Sequence, residues 1–252
     1  MAAAPRFHCA TELSSGAHIE LPPGAARHVQ VLRLQPGASI TLFGGPAGSS
    51  QGGEFMATVT AMGRQSVQVL VGQHTPVERE TTRSLYLAVG IPANERMDWL
   101  VEKATELGVA VIQPLMTERS VVRLDTHRGL KKLAHWQSIA IAACEQCGRN
   151  RLPVLHPPMT LTEWLRKQTT DEGTPQPAGL VLSLADGSTP LRDWSTGNAG
   201  HDSEIRLLCG PEGGLGAAEE ASALGAGFAP VSLGARVLRS ETAALAALTL
   251  LA

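Results

Sequence analysis

Leu207-Leu208-Cys209-Gly210-Pro211-Glu212-Gly213-Gly214-Leu215 is the strongest pointer to the fold. An apolar run ends in a Gly-rich loop, and a helical segment with Glu219 and Glu220 in its first turn follows. A strand that runs through such a loop into a helix is the unit of α/β architecture, with ligand loops at the carboxyl ends of the strands. The loop is neither GxGxxG nor GxxxxGK[ST]. It holds no Lys or Arg, and Glu212 would repel a phosphate. A ligand with a positive centre or neutral polar edges suits it better, because glycines let backbone groups approach closely.

Two more segments repeat the pattern. Leu180–Leu184 runs into Ala185-Asp186-Gly187, and Pro230–Leu233 into Gly234-Ala235-Arg236-Val237-Leu238-Arg239. The last loop leads to a helix for which Ser240 is a natural N-cap. Arg236 and Arg239 stand in an otherwise acidic region, which makes them candidates for contacting a polyanion or polarising a base. Upstream, Leu85–Ile91 reads as a buried strand. Arg96–Leu107 reads as a helix closed by Gly108, and Val109–Ile112 as a strand ended by Pro114. From His135 to Arg149, the residues Trp136, Ile139, Ala140, Ala143, Cys144 and Cys147 share one helical face. Both cysteines lie on that apolar stripe, so they read as core packing, and no metal centre or disulfide framework is expected. Glu145 and Arg149 are spaced for an i,i+4 ion pair on the exposed face.

The N-terminal part differs. Short runs at Ser39–Phe43, Glu54–Ala61 and Ser66–Val71, with a Gly-rich excursion over 44–53, suggest a small barrel or sandwich. Gly72–Thr82 is polar and aperiodic and reads as a linker. The expected organisation is a β domain over 1–72, a linker over 73–83 and an α/β domain over 84–252. Polar surface loops are expected at 171–178 and 195–204.

The chain has 252 residues, 43% of them hydrophobic, so it can bury a core and is not globally disordered. Its 21 basic and 23 acidic groups suggest no polyanion partner. The segments say otherwise: residues 1–75 are net +1, residues 76–170 net +3, and residues 171–252 net −6. Arg119, Arg123, Arg128, Lys131 and Lys132 form a basic run opposed only by Asp125. Its plain reading is a solvated face, and its functional reading is a phosphate-contacting patch. The start has no signal-peptide pattern, and no apolar run reaches the length of about 20 residues that a membrane span needs. A cytoplasmic protein without a membrane partner is expected. His28, near Arg33, is a lone histidine with no triad spacing around it.

HVQVLRLQPG (28–37), RMDWLVEKATELGV (96–109), IAACEQCGRNRLP (141–153), LLCGPEGGL (207–215) and SLGARVLRSETAAL (232–245) occur in one order over nearly the whole chain. Together they resemble the ribosomal small subunit methyltransferase E family, of the SPOUT class. The resemblance implies a PUA-like β-barrel followed by an α/β SPOUT-type domain with a C-terminal trefoil knot, acting as a homodimer. It implies S-adenosylmethionine as cofactor and methylation of N3 of a uridine in 16S rRNA, within the assembled small ribosomal subunit. Carried onto this sequence, the cofactor site comprises Leu184, Leu208, Gly210, Pro211, Glu212, Gly213, Leu233, Gly234, Arg236 and Leu238. Uracil N3 must lose a proton before it is methylated. Arg239 and Arg236 are expected to stabilise the developing anion, with Glu145 or Glu241 as proton acceptor. RNA is expected to meet Arg6, Arg27, His28, Arg33, Arg119, Arg123, Arg128, Lys131, Lys132 and Arg149. Two departures from the family pattern bear on this: Ala93-Asn94 stand where Lys-Gly is frequent, and Gly216 stands where Ser is common. The competing readings are ribose 2′-O methylation and a non-enzymatic RNA-binding module. The second leaves the three Gly-rich strand ends unexplained.

Overall fold

The computed structural model describes residues 4–44, 52–93, 95–168, 177–198 and 204–252. Most of the expected 44–53 excursion, Asn94 and most of the polar loops expected at 171–178 and 195–204 lie outside the described residues. The chain divides into two compact units, Met1–Glu80 with Ile141–Leu152, and Thr81–Ala140 with Pro153–Ala252.

The first unit holds β1 (Arg6–Cys9), β2 (His18–Glu20), α1 (Pro23–Val31), β3 (Ser39–Gly44), β4 (Glu54–Met62) and β5 (Val67–Thr75). They form one five-stranded sheet in the order β1-β3-β4-β5-β2. β1 pairs β3 in parallel and the other pairs are antiparallel. The expected barrel is therefore an open mixed sheet among the described residues. β2 spans only three residues, and Ala25, Ala26 and Val29 of α1 join the core with Phe7, Ile40, Leu42 and Val69, so apolar surface is buried without strand closure. β5 continues to Thr75, into the stretch expected to be linker, because Phe55 and Glu54 supply partners for His74 and Thr75.

The second unit is built on β6 (Ser84–Gly90), α2 (Arg96–Glu106), β7 (Val111–Met116), α3 (Thr126–Cys147), β8 (Val154–Leu155), β9 (Met159–Thr160) and α4 (Leu161–Gln168). These are followed by β10 (Ala178–Leu182), β11 (Thr189–Pro190), α5 (Leu191–Gly197), β12 (Glu204–Cys209), α6 (Ala217–Gly225), β13 (Ala229–Ser232) and α7 (Ser240–Leu251). The strands form one parallel sheet in the order β11-β13-β10-β12-β6-β7-β8, with β9 also on β7. β6 from Leu85 and β12 from Leu207 run as continuous apolar stretches because both sheet faces are covered there. One face packs Leu85, Leu87, Leu100, Leu207 and Leu248, and the other packs Ala88, Val181, Leu208, Trp164 and Phe228.

Two boundaries differ from expectation. β7 runs through Pro114, which pairs Val89. The carbonyls of Ala110 and Ile112 accept bonds from Val154 and His156, and that of Leu115 bonds Ile91 on the other side. The alternation points Pro114 toward the break between β8 and β9, where its missing N–H removes no ladder bond. α3 starts at Thr126, well before His135, because Asp125 accepts the Arg128 N–H at 2.8 Å and caps it. Its apolar stripe is buried or partly buried as the periodicity requires. The segment from Ile141 groups with the first unit, not with 84–252 as expected. There Arg6 donates to the carbonyls of Gly148 and Arg149, and Asn150 donates to the Val77 carbonyl.

Candidate active site

The chain ends of β10, β12 and β13 converge on one cavity of about 500 Å³, within the range of small-molecule pockets. Local chemistry builds its central loop. Gly214 takes φ +68°, and its N–H closes a turn onto the Pro211 carbonyl at 2.8 Å. The loop doubles back so tightly that a Cβ on Gly210 would lie 2.7 Å from the carbonyl carbon of Gly214. The end of β6 lies against it, and a Cβ on Gly90 would sit 2.5 Å from Pro211 Cδ. Arg119 donates to the Gly213 carbonyl at 2.7 Å. At the start of α6, Glu219 accepts the N–H of Gly216 at 2.9 Å and that of Glu118 at 2.8 Å. The bond to Gly216 is the half of a capping box that needs no side chain at the cap.

Leu184, Gly210, Pro211, Glu212, Gly213, Leu233, Gly234, Arg236 and Leu238 all line this cavity. Leu208 does not: strand alternation turns its side chain into the core beside Trp164. The Cys209 thiol also borders the cavity, and burial pushes its pKa up. Burial likewise pushes the Cys144 thiol up to about 12, so neither is a thiolate at neutral pH. Among the described residues no cluster of three or more His, Cys, Asp or Glu is placed to hold a metal ion.

A second cavity of about 1030 Å³ draws on the same stretch of chain: Leu238, Ser240 and Ala243 line the first, and Arg239, Glu241 and Thr242 line the second. Lys132, Trp99, Trp136 and Arg96 also line the second. Arg239 is exposed, with no hydrogen bond or ion pair from its guanidinium among the described residues. Glu241 is only 7% exposed, and its Oε2 accepts the Ser240 hydroxyl at 3.1 Å. Ser240 is the first helical residue of α7, not its cap; Arg239 holds the capping position with an extended backbone. Asp98 fixes one wall, accepting from Trp136 Nε1 at 2.9 Å and standing 2.8 Å from His135 Nε2.

Arg96 and Trp99 join the second cavity although neither was expected in a site. Met97 and Leu100 bury one face of α2, which leaves Arg96 and Trp99 off the core, three residues apart. That signal was present in the RMDW run. Arg96 donates to Glu212 Oε1 at 3.0 Å, and the Ala93 N–H reaches the same oxygen at 2.8 Å. Glu212 thus pins the loop, and a backbone group stands where the family often has a basic side chain.

Other expected site residues lie elsewhere. Glu145 is in the first unit, where it accepts the His8 N–H at 3.0 Å and meets His28 Nδ1 at 3.0 Å. It lines neither cavity. It does not pair with Arg149, because α3 ends at Cys147 and Arg149 leaves the helix to bond Glu80, with NH2 2.5 Å from Oε2. Arg149 is buried, and Arg6 is held by Glu54, by Asn150 and over the Phe43 ring, so both guanidinium groups have structural partners. Arg27, His28 and Arg33 are exposed on and just after α1. Arg123 bonds the Glu118 carbonyl, Arg128 pairs with Asp125, and Lys131 is exposed.

Comparison with known proteins places this geometry. The family model described as an RNA methyltransferase domain matches residues 78–252. A ribosomal RNA small subunit methyltransferase E of Bacillus subtilis is 30% identical over 229 residues, 88% of this chain and 84% of that one. A methyltransferase of Legionella pneumophila, solved with bound cofactor SAM, superposes with TM-score 0.88 at 37% identity, covering 99% of this chain and 97% of that one. A ribosomal RNA small subunit methyltransferase E of Neisseria gonorrhoeae, solved bound to S-adenosyl methionine, gives TM-score 0.83 at 35% identity over 98% of this chain and 95% of that one. The motifs, the parallel sheet with its three converging loops and these relatives agree, and the chain belongs to the ribosomal RNA small subunit methyltransferase E family of RNA methyltransferases.

Proposed function

We propose that this protein transfers a methyl group from S-adenosylmethionine to N3 of one uridine of 16S rRNA, within the assembled small ribosomal subunit. The observation that carries the reading is that one segment, 238–243, contributes both to a phosphate-averse loop cavity and to a second cavity bearing an unpaired arginine and a buried carboxylate. The first cavity suits the cofactor. The close-packed glycines leave backbone groups exposed, Leu184, Leu233 and Leu238 give apolar walls, and two relatives are solved with that molecule bound. When bound, S-adenosylmethionine supplies a methyl group activated by a sulfonium centre.

The chain's own residues do the rest. Arg239 stabilises the negative charge that develops on the uracil as N3 loses its proton. Glu241 takes that proton on its carboxylate, whose position is held by Ser240. Arg236 lines the cofactor cavity and belongs with cofactor binding. The Trp99 indole, 45% exposed in the second cavity, offers a base a stacking face. Arg27, His28, Arg33, Arg128, Lys131 and Lys132 position phosphates, and the shape of the subunit selects the site.

The reading extends to the architecture. The first unit serves as a PUA-like RNA-binding module. β13 lies beyond β10 from β12, an order that supports a trefoil knot through the three loops. Exposed Trp99, Val121, Leu130 and Val237 in the second unit support a homodimer, acting in the cytoplasm. The test is methylation of isolated small subunits followed by nucleoside mass analysis. N3-methyluridine is the expected product, and a ribose-methylated nucleoside excludes this reading.

A further inference from the structure

Arg96 links two carboxylates that belong to different cavities. Its NH1 lies 3.0 Å from Oε1 of Glu212, on the loop lining the first cavity. Its Nε lies 3.9 Å from Oε1 of Glu241, which lines the second. Among the described residues each carboxylate has one other anchor, the Ala93 N–H at 2.8 Å for Glu212 and the Ser240 hydroxyl at 3.1 Å for Glu241. Both anchors are neutral. Arg96 is the only cation within ion-pair distance of either carboxylate among the described residues. Helix α2 fixes where it starts: Arg96 is the first helical residue, and the next one, Met97, is buried in the core.

We propose that Arg96 is a positioning residue that couples the cofactor loop to the acceptor cavity. The proposal rests on the assignment of the two cavities given above. A guanidinium presents several donors in a rigid fork, so it can serve Glu212 through one nitrogen and face Glu241 with another. A ligand that settles the Glu212 loop then settles the Arg96 fork, and with it the charge presented at Glu241. A lysine offers a point charge on a flexible stem and can satisfy one carboxylate at a time. Coupling of this kind is reciprocal: whatever the acceptor cavity gains from a filled cofactor cavity, the cofactor gains from a filled acceptor cavity.

The test is a double-mutant cycle on the full chain, read by calorimetric titration with S-adenosylmethionine alone. R96Q and E212Q are each expected to weaken binding by about tenfold, as for loss of a charge-assisted hydrogen bond. The R96Q/E212Q protein is expected to be no weaker than either single variant, because both substitutions remove the same contact. Multiplying losses in the double variant, or unchanged binding in R96Q, overturn the proposal. R96K separates positioning from mere folding. It is expected to keep most of the cofactor affinity while single-turnover methylation at saturating cofactor falls by about tenfold, and a wild-type rate in R96K overturns the link to Glu241. Should wild-type protein bind the cofactor yet methylate no uridine, the functional reading fails while the calorimetric cycle still decides what Arg96 does.

Discussion

Arg33 shows how a residue can be kept at a cost to stability. It follows α1 with φ +55°, the only non-glycine at positive φ among the described residues, and its side chain is exposed. A glycine would hold that backbone without the Cβ clash, which costs about 1 kcal/mol. The R33G protein is expected to be slightly more stable in urea and to bind small subunits more weakly; a gain in both would remove Arg33 from the RNA surface. Arg239, exposed beside buried Glu241, is expected to act on rate. R239A should lower methylation at saturating cofactor about a hundredfold while calorimetric affinity for S-adenosylmethionine changes little. Equal losses would move Arg239 to cofactor binding. The residues that line the first cavity were legible because glycines and strand ends announce a loop open to a ligand. Leu208 was not, since the choice of face within a strand depends on what covers each side, and Trp164 comes from a distant segment.

Among the elements, α3 and its exit show what periodicity supplies and what it lacks. The stripe from Trp136 to Cys147 was readable from spacing. The destination of Arg149 was not, because its partner Glu80 lies 69 residues away and nothing local marks it. Breaking that pair strands a largely buried charge, so R149M is expected to cost about 3 kcal/mol in denaturant unfolding. In the same unit, burial alone would raise the Glu54 carboxyl. Hydrogen bonds and charge from Arg6 and Arg79 outweigh that and hold it below its ordinary 4.5. A depressed acid lends stability that is present above 4.5 and is lost as pH falls through the folded value. Wild-type Tm is therefore expected to fall more steeply below that pH than Tm of E54Q. Parallel slopes would show that the two arginines give Glu54 no stabilising role.

For the whole molecule, the near balance of 21 basic and 23 acidic groups conceals an acidic C-terminal third. Of the cations proposed to meet RNA, Arg27, Arg33, Arg128, Lys131 and Lys132 are exposed, Arg119 and Arg123 bond backbone carbonyls, and Arg6 and Arg149 are taken up internally. Subunit binding is expected to lose affinity with salt at a log–log slope of about −4, near 0.9 for each phosphate neutralised. A slope twice as steep would mean that bulk charge drives binding. The strand order β11-β13-β10-β12-β6-β7-β8 was not legible, because periodicity marks where strands begin and end but not which of them become neighbours. The repeated strand–loop–helix units gave the class, and the motif order gave the family. Which base atom receives the methyl group is decided by nucleoside mass analysis. Small subunits from cells lacking this protein are incubated with the protein and S-adenosylmethionine, then digested. One N3-methyluridine per subunit is expected, nearly absent with R239A; a ribose-methylated nucleoside, or none while the cofactor still binds, overturns the proposed reaction.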